Sequence, residues 1–192
     1  MRVITGTARG RKLKSVEGME TRPTTDRTKE SVFNIIQFDI EGRAVLDLFA
    51  GTGQMGIEAL SRGARLADFI DTRSDCVKVI GENVRHTGFE KVSRVHQMDY
   101  AAFLGRAKKE SYGLIFLDPP YGNGFLQNAL KLIFEKDLLM EGGLIVCEGL
   151  RTEEMPGTTG LYEKGREYLY GKSRIQLYIK KSTVSSESGE EV

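Results

Sequence analysis

Ala44-Val-Leu-Asp-Leu-Phe-Ala50, then Gly51-Thr-Gly-Gln-Met-Gly56, then Leu66-Ala-Asp-Phe-Ile-Asp71 decide the architecture between them. The first run is apolar apart from Asp47 and reads as a strand. The glycines turn the chain into a helix expected over Gln54–Arg62, with Gly63 at its end. The third run reads as the next strand. The same unit repeats outward from here: helix 74–87 ended by Gly88, strand 92–98, helix 100–109, strand 112–118, helix 125–136 and strand 143–148. Such alternation predicts a parallel sheet with helices on both faces and right-handed crossovers. Leu161 to Tyr170 and Ser173 to Lys181 flank Gly171-Lys172 and read as an antiparallel hairpin closing the sheet edge. Five strands and the two of the hairpin give a mostly parallel, seven-stranded α/β sheet. No internal repeat is visible.

A chain of 192 residues suits one domain, with room for a small appendage and a full core. Its 28 Lys and Arg stand against 27 Asp and Glu, so overall charge argues for no particular partner. The distribution does. Residues 1–38 hold eight bases (Arg2, Arg9, Arg11, Lys12, Lys14, Arg22, Arg27 and Lys29) against four acids, and the first 14 residues hold five bases and no acid. Arg2 to Thr5 and Lys12 to Val16 flank a turn at Gly6–Arg11, which reads as a basic hairpin. It is either a solvated edge whose charges discourage pairing or a protruding arm that contacts phosphates. Thr21 to Asp26 is a turn into a helix, with Thr25 or Asp26 as N-cap. Val32, Phe33, Ile36 and Ile40 give that helix an apolar stripe, and it is expected to run to about residue 38. Cys76 and Cys147 lie far apart and there are two His, so neither a disulfide framework nor a metal site is expected. With no signal peptide and no long apolar run, a cytoplasmic chain outside the membrane is expected.

Gly51-Thr-Gly53-Gln-Met-Gly56 fits the glycine pattern that lets backbone approach a nucleotide-type ligand at a helix N-terminus. Asp71 ends the next strand 20 residues after Gly51, placed to hold ribose hydroxyls. These features alone do not separate a dinucleotide from S-adenosylmethionine. Asp47, inside the strand, suits a cationic amino-acid moiety, and Asp99, ending the third strand, suits an adenine amine. Both favour S-adenosylmethionine. Asp118-Pro119-Pro120-Tyr121 ends the fourth strand. Two prolines fix the backbone and donate no N–H, leaving a carboxylate, the Pro119 carbonyl and an aromatic ring on one shelf. A flat base with an exocyclic amine needs two acceptors and a stacking face, and this shelf supplies them.

Asp47-Leu-Phe-Ala-Gly-Thr-Gly53 with Asp118-Pro-Pro-Tyr121 resembles the class I methyltransferases that act on exocyclic amines. Arg2-Val-Ile-Thr, Gly10-Arg-Lys-Leu13, Thr21-Arg-Pro-Thr-Thr-Asp-Arg27 and Lys29-Glu-Ser-Val-Phe-Asn34 narrow the likeness to the RsmD-type family, over residues 1 to about 181. The resemblance implies a Rossmann-like fold and methylation of a guanine N2 in small-subunit (16S) ribosomal RNA, with S-adenosylmethionine as cofactor. It implies cofactor contacts by Asp47, Phe49, Ala50, Gly51, Thr52, Gly53, Gly56, Asp71, Asp99 and Tyr100. Asp118, Pro119, Pro120 and Tyr121 would hold the target base, and the eight bases named above would grip RNA. The expected layout is a basic hairpin extension at 1–20, the methyltransferase domain at 21–181 and an acidic flexible tail at 182–192. A monomer is expected, without metal, acting on RNA within an assembling ribosomal particle. One departure stands out: Thr72 and Arg73 follow Asp71 where the family places a second acid.

Three other readings compete. A DNA adenine-N6 methyltransferase would use the same shelf, but no segment is long enough for a target-recognition domain. A nicotinamide oxidoreductase leaves Asp99 and Asp118 to Tyr121 unexplained. A non-catalytic RNA-binding assembly factor on the same scaffold is opposed by the intact Asp118 and glycines.

Overall fold

Strand residues of alternating orientation feed two separate cores, which is why the central strands are mostly apolar. A computed structural model describes residues 1–16 and 26–182, apart from the side chains of Asp26 and Arg27. The elements are α1 (Asp26–Ile35), β1 (Ala44–Asp47), α2 (Gln54–Ser61), β2 (Leu66–Asp71), α3 (Ser74–Thr87), β3 (Ser93–Gln97), α4 (Tyr100–Arg106), β4 (Tyr112–Leu117), α5 (Phe125–Lys136), β5 (Leu139–Leu150), β6 (Tyr162–Tyr170) and β7 (Ser173–Lys180). They form one seven-stranded sheet in the order β3-β2-β1-β4-β5-β7-β6. The first five strands are parallel, while β7 runs antiparallel to both β5 and β6.

On one face Val45, Phe69, Leu114, Phe116 and Val146 meet α1, α2 and α3 through Phe33, Ile57 and Ile80. On the other, Leu46, Ile70, Ile115, Leu117 and Ile145 meet α4 and α5 through Leu104, Leu130 and Ile133. The period-two alternation of β1, β2, β4 and β5 therefore divides between two buried layers, as a parallel sheet covered on both sides requires.

The boundaries differ from expectation by several residues at five places, one being helix α4, which ends at Arg106 instead of 109. The first strand ends at Asp47, with the Leu48 and Ala50 amides still bonded to Phe116 and Ile70 carbonyls as the chain leaves the sheet. Helix α1 ends at Ile35, so Ile36 and Ile40 are buried from the connection that follows it, and Phe38 between them is 92% exposed. The fifth strand is longer than its apolar run and spans Leu139–Leu150. The N-terminal hairpin is reduced to one bridge, Arg2 with Lys12, around a turn. It does not protrude. Val3, Ala8 and Leu13 are buried in the same core as α1 and α2. Residues 21–25 of the turn expected at 21–26, and residues 183–192 of the acidic tail expected at 182–192, lie outside the described residues.

Candidate active site

The strand order reverses at β1, which has β2 on one side and β4 on the other. Open α/β sheets bind ligands in the crevice beyond the strand C-termini at such a point. Register places the acids there. Asp47 ends β1 opposite Phe69 and Phe116. Asp71 and Asp118 lie two residues beyond those partners, so one carboxylate flanks Asp47 on each side. With neighbouring strands about 4.8 Å apart, the backbones carrying Asp71 and Asp118 are roughly 10 Å from one another.

The glycine loop is braced by two of these acids. The Gly56 N–H donates to Asp47 Oδ2 at 3.0 Å, and the Gly51 N–H donates to Asp71 Oδ2 at 2.9 Å. Gly53 enters α2 at φ 77°, in the left-handed region. Gly56 is required for a different reason: a Cβ there would lie 2.3 Å from the Phe69 ring. Asp47 is 4% exposed, and burial pushes its carboxyl up to about 7, against the opposing Gly56 N–H and with added repulsion from Asp71.

The second oxygen of Asp71 accepts the Arg73 N–H at 2.9 Å. The Arg73 side chain turns away to pair with Asp75, whose carboxyl this bond holds below the usual range. The residue that departs from the family pattern is thus paired with an acid in the first turn of α3. Asp99 caps α4, its Oδ1 accepting the Ala101 and Ala102 N–H groups at 2.8 and 3.1 Å. Sequence reasoning assigned Asp99 to a ligand and overlooked the cap, although an Asp before a helical run signals one.

A wall of three rings stands between these loops. Phe49 and Tyr100 have centroids 5.1 Å apart, and Phe125, the first residue of α5, lies 6.4 and 5.9 Å from them. Phe125 was not singled out from sequence. The expected cofactor carries an ammonium, ribose hydroxyls and an adenine. The residues present fit it: two carboxylates, a ring wall, and at Gly51 (φ 54°) a backbone facing open space, where a Cβ would meet nothing within 4 Å.

Across the crevice, β4 ends at Leu117 and Asp118 emerges exposed, followed by a buried Pro119 and an exposed Pro120. Tyr121 is half-buried and tied back to the sheet. Its hydroxyl donates to Glu148 Oε1 at 3.3 Å and lies 3.5 Å from Ser173 Oγ. Glu153 extends the clamp, one oxygen accepting the Gly122 N–H at 3.3 Å and the other the Leu150 N–H at 2.9 Å. Neither glutamate could be found by local pattern, since each acts across 27 to 31 residues of sequence.

Arg2, Arg9, Arg11, Lys12 and Lys14 are all exposed on the N-terminal segment. Lys29 is a correction. Its side chain is fully buried, donating to the Arg2 carbonyl at 2.6 Å and standing 3.7 Å from Glu58, so it cannot reach a phosphate. Apolar spacing on α1 turned it inward, where it holds the segment instead. Arg22 and the Arg27 side chain lie outside the described residues.

Asn83, fully buried on α3, is a further residue the sequence did not reveal. Its Oδ1 accepts the Lys14 N–H at 2.8 Å, and its Nδ2 donates to the carbonyls of Lys14 at 3.1 Å and Thr52 at 2.9 Å. One amide therefore joins the basic segment to the glycine loop. Among the described residues no group of three or more His, Cys, Asp or Glu could hold a metal, and no helix is long and apolar enough to cross a membrane.

Comparison with known proteins points the same way. Residues 1–179 match the family model described as "Conserved hypothetical protein 95". The chain is 30% identical to Ribosomal RNA small subunit methyltransferase D of Escherichia coli, covering 98% of this chain and 94% of that one. It is 42% identical to YlbH of Bacillus subtilis, provisionally named an rRNA methyltransferase, over 94% of this chain and all of that one. Among solved structures, the provisionally named methyltransferase yhhF of Escherichia coli superposes with a TM-score of 0.84 at 32% identity, covering 94% and 98% of the two chains. An RNA methyltransferase from Salinibacter ruber, solved with S-adenosyl-L-homocysteine, shares the fold at TM-score 0.61 and 17% identity, covering 88% and 99%.

Proposed function

Since the chain belongs to the RsmD-type family of ribosomal RNA methyltransferases, we propose that its target is the exocyclic N2 amine of one guanine in small-subunit ribosomal RNA. It is an enzyme, and S-adenosylmethionine is its methyl donor. The observation that carries the finer reading is the exposed Asp118 beside the buried Pro119, two residues past a register partner of Asp47, with Tyr121 clamped next to them.

The bound cofactor supplies an electrophilic methyl on a sulfonium. Everything else falls to the protein. Gly51, Thr52 and Gly53 give the cofactor a close backbone surface, with Ala50, Phe49 and Tyr100 along its side. Asp71 takes the ribose hydroxyls, Asp99 the adenine amine, and Asp47 sets a negative field for the amino-acid end. A guanine inside a stem cannot reach this crevice, so it must leave its stack. Tyr121 then offers it a face. Guanine N2 is a poor nucleophile because its lone pair is delocalised into the ring. The Asp118 carboxylate and Pro119 carbonyl accept its two hydrogens, orient the nitrogen toward tetrahedral geometry and stabilise the positive charge that develops on it.

We propose that the protein acts as a monomer in the cytoplasm without a metal, on RNA within an assembling particle. Incubation with labelled S-adenosylmethionine and small-subunit particles lacking the modification, followed by nucleoside digestion, is expected to yield N2-methylguanosine. Naked RNA is expected to take far less label. Label on adenine, on protein, or on no RNA nucleoside would overturn the guanine assignment.

The acid in the first strand adds a pH dependence. With its pKa near 7 in the folded protein, Asp47 is largely neutral below that pH and charged above it. Only the charged form attracts an ammonium. Affinity for S-adenosylhomocysteine, which keeps that ammonium, is expected to rise several-fold from pH 6 to pH 8, as about one unit of titration allows. Calorimetric titration across this range checks it. Asp47→Asn should flatten the profile, and an unchanged slope in that variant would assign the titration elsewhere.

A further inference from the structure

Beside the N-terminal segment lies a second concave surface that the catalytic crevice does not include. It is a cleft of about 330 Å³ with Lys12 and Lys14 on one wall and Glu82, Asn83, Arg85 and His86, from the last turns of α3, on the other. Arg11 adjoins it, its guanidinium donating to the His86 carbonyl. Lys78, exposed one turn before Glu82, extends the same face of α3. Glu82 is the one carboxylate in the lining, and Lys14 already pairs with it at 2.8 Å. Among the described residues Lys12 and Arg85 have no ion-pair partner.

The bland account is that cations suit the last turn of a helix, where they meet the negative end of its dipole. That explains Arg85 and His86. It does not explain why a chain of net charge +1 sets Lys12 and Lys14 against them from 70 residues away. The walls are also fixed in place: Asn83 grips the Lys14 backbone with two hydrogen bonds, and Arg11 ties the segment to the end of α3. A concave, polar, strongly cationic surface with rigid walls suits an anion that arrives from solvent. The partner already assigned to this protein carries one phosphate per nucleotide. Asn83 lines the cleft and also holds the Thr52 carbonyl of the glycine loop, so whatever sits there rests on the back of the cofactor site.

We propose that this cleft is an anchoring site for the phosphodiester backbone of the ribosomal RNA substrate, with Lys12, Lys14, Arg85 and His86 as its contacts. The proposal rests on the RNA reading above and adds helix α3 to the docking surface. Backbone contacts of this kind set position and affinity without reading sequence, while the crevice selects the base.

The test pairs the double variant Lys12→Gln/Arg85→Gln with a control, Lys108→Gln/Lys131→Gln, which removes two exposed charges elsewhere. Binding of the wild type and both variants to small-subunit particles is measured between low and physiological salt, alongside S-adenosylhomocysteine affinity, melting temperature and methyl transfer. The cleft variant is expected to bind RNA about tenfold or more weakly, with a salt slope shallower by about two. Its KM should rise by a similar factor with kcat, cofactor affinity and melting temperature unchanged. The control should match wild type. Unchanged RNA affinity in the cleft variant, or an equal loss in the control, would overturn the proposal. Should the wild type label a base other than guanine, the guanine assignment fails while the binding curves still decide the anchoring site.

Discussion

Replacing Asp118 by alanine is expected to lower kcat about a thousandfold while leaving S-adenosylhomocysteine affinity near wild type. The size follows from what the residue is asked to do. An amine whose lone pair is spread into the guanine ring gains nucleophilicity only as it becomes tetrahedral, and positive charge builds on it as the new bond forms. A preorganised carboxylate opposes that charge most in the transition state and least in the ground state. Removing it therefore strikes kcat more than KM. The cofactor half of the crevice is braced separately, by Asp47 and Asp71 on the glycine loop, so its occupancy should survive. Graded substitutions sharpen the expectation. Asp118→Asn keeps an acceptor oxygen and loses the charge, and should fall between alanine and wild type. Tyr121→Phe keeps the stacking face and loses the hydroxyl that bonds Glu148 and neighbours Ser173, so a change of a few fold is expected. Single-turnover kinetics with saturating cofactor would read all three. An Asp118→Ala enzyme within tenfold of wild type would remove the carboxylate from the chemistry and leave the shelf as a positioning device.

Legibility from sequence varied with the range over which the governing interaction acts. Helix α5 and strand β2 were read to the residue, because apolar spacing and flanking glycines are local signals. The placement of Asp47, Asp71 and Asp118 at strand C-terminal ends followed from alternation, whereas the strand order that sets β2 and β4 on either side of β1 is visible only in the structure. Errors arose where distant partners decide. Lys29 reads as one more surface base until α2 places Glu58 beside it, 29 residues on. Asn83 carries no local signal, yet it is buried because residues 14 and 52 both converge on it. The basic hairpin was expected to stand free because its charges are conspicuous. Its apolar residues, Val3, Ala8 and Leu13, alternate with those charges and dock it instead.

That docking supplies the second large effect. Glu58→Ala is expected to destabilise the protein by about 3–5 kcal/mol, the usual cost of stripping one partner from a buried charge pair. Glu58 and Lys29 have no exposed side-chain surface. One carboxylate accepts the Ile4 N–H at 2.8 Å, the Thr5 N–H at 3.0 Å and Arg62 Nε at 2.9 Å, and sits near the Lys29 ammonium. Alanine would leave two backbone donors and a buried ammonium without it. For a chain of this size that corresponds to a melting temperature lower by roughly 6–20 °C. Ser61, one turn along α2, holds the Thr5 carbonyl at 2.6 Å and the Ala8 N–H at 3.0 Å, so it should keep part of the segment docked. The charge contribution can be separated from the backbone contribution. In Lys29→Met/Glu58→Ala the buried ammonium that faced Glu58 is gone while the Ile4 and Thr5 amides stay unsatisfied, so the double variant should be more stable than Glu58→Ala alone and less stable than wild type. Because the same segment carries Lys12 and Lys14, Glu58→Ala should also weaken RNA binding at temperatures where the protein is still folded, and limited proteolysis should cut first within residues 1–16. Calorimetric melting with that proteolysis reads both effects. A Glu58→Ala protein that melts with wild type and resists cleavage would show that the buried carboxylate does not hold the basic segment in place.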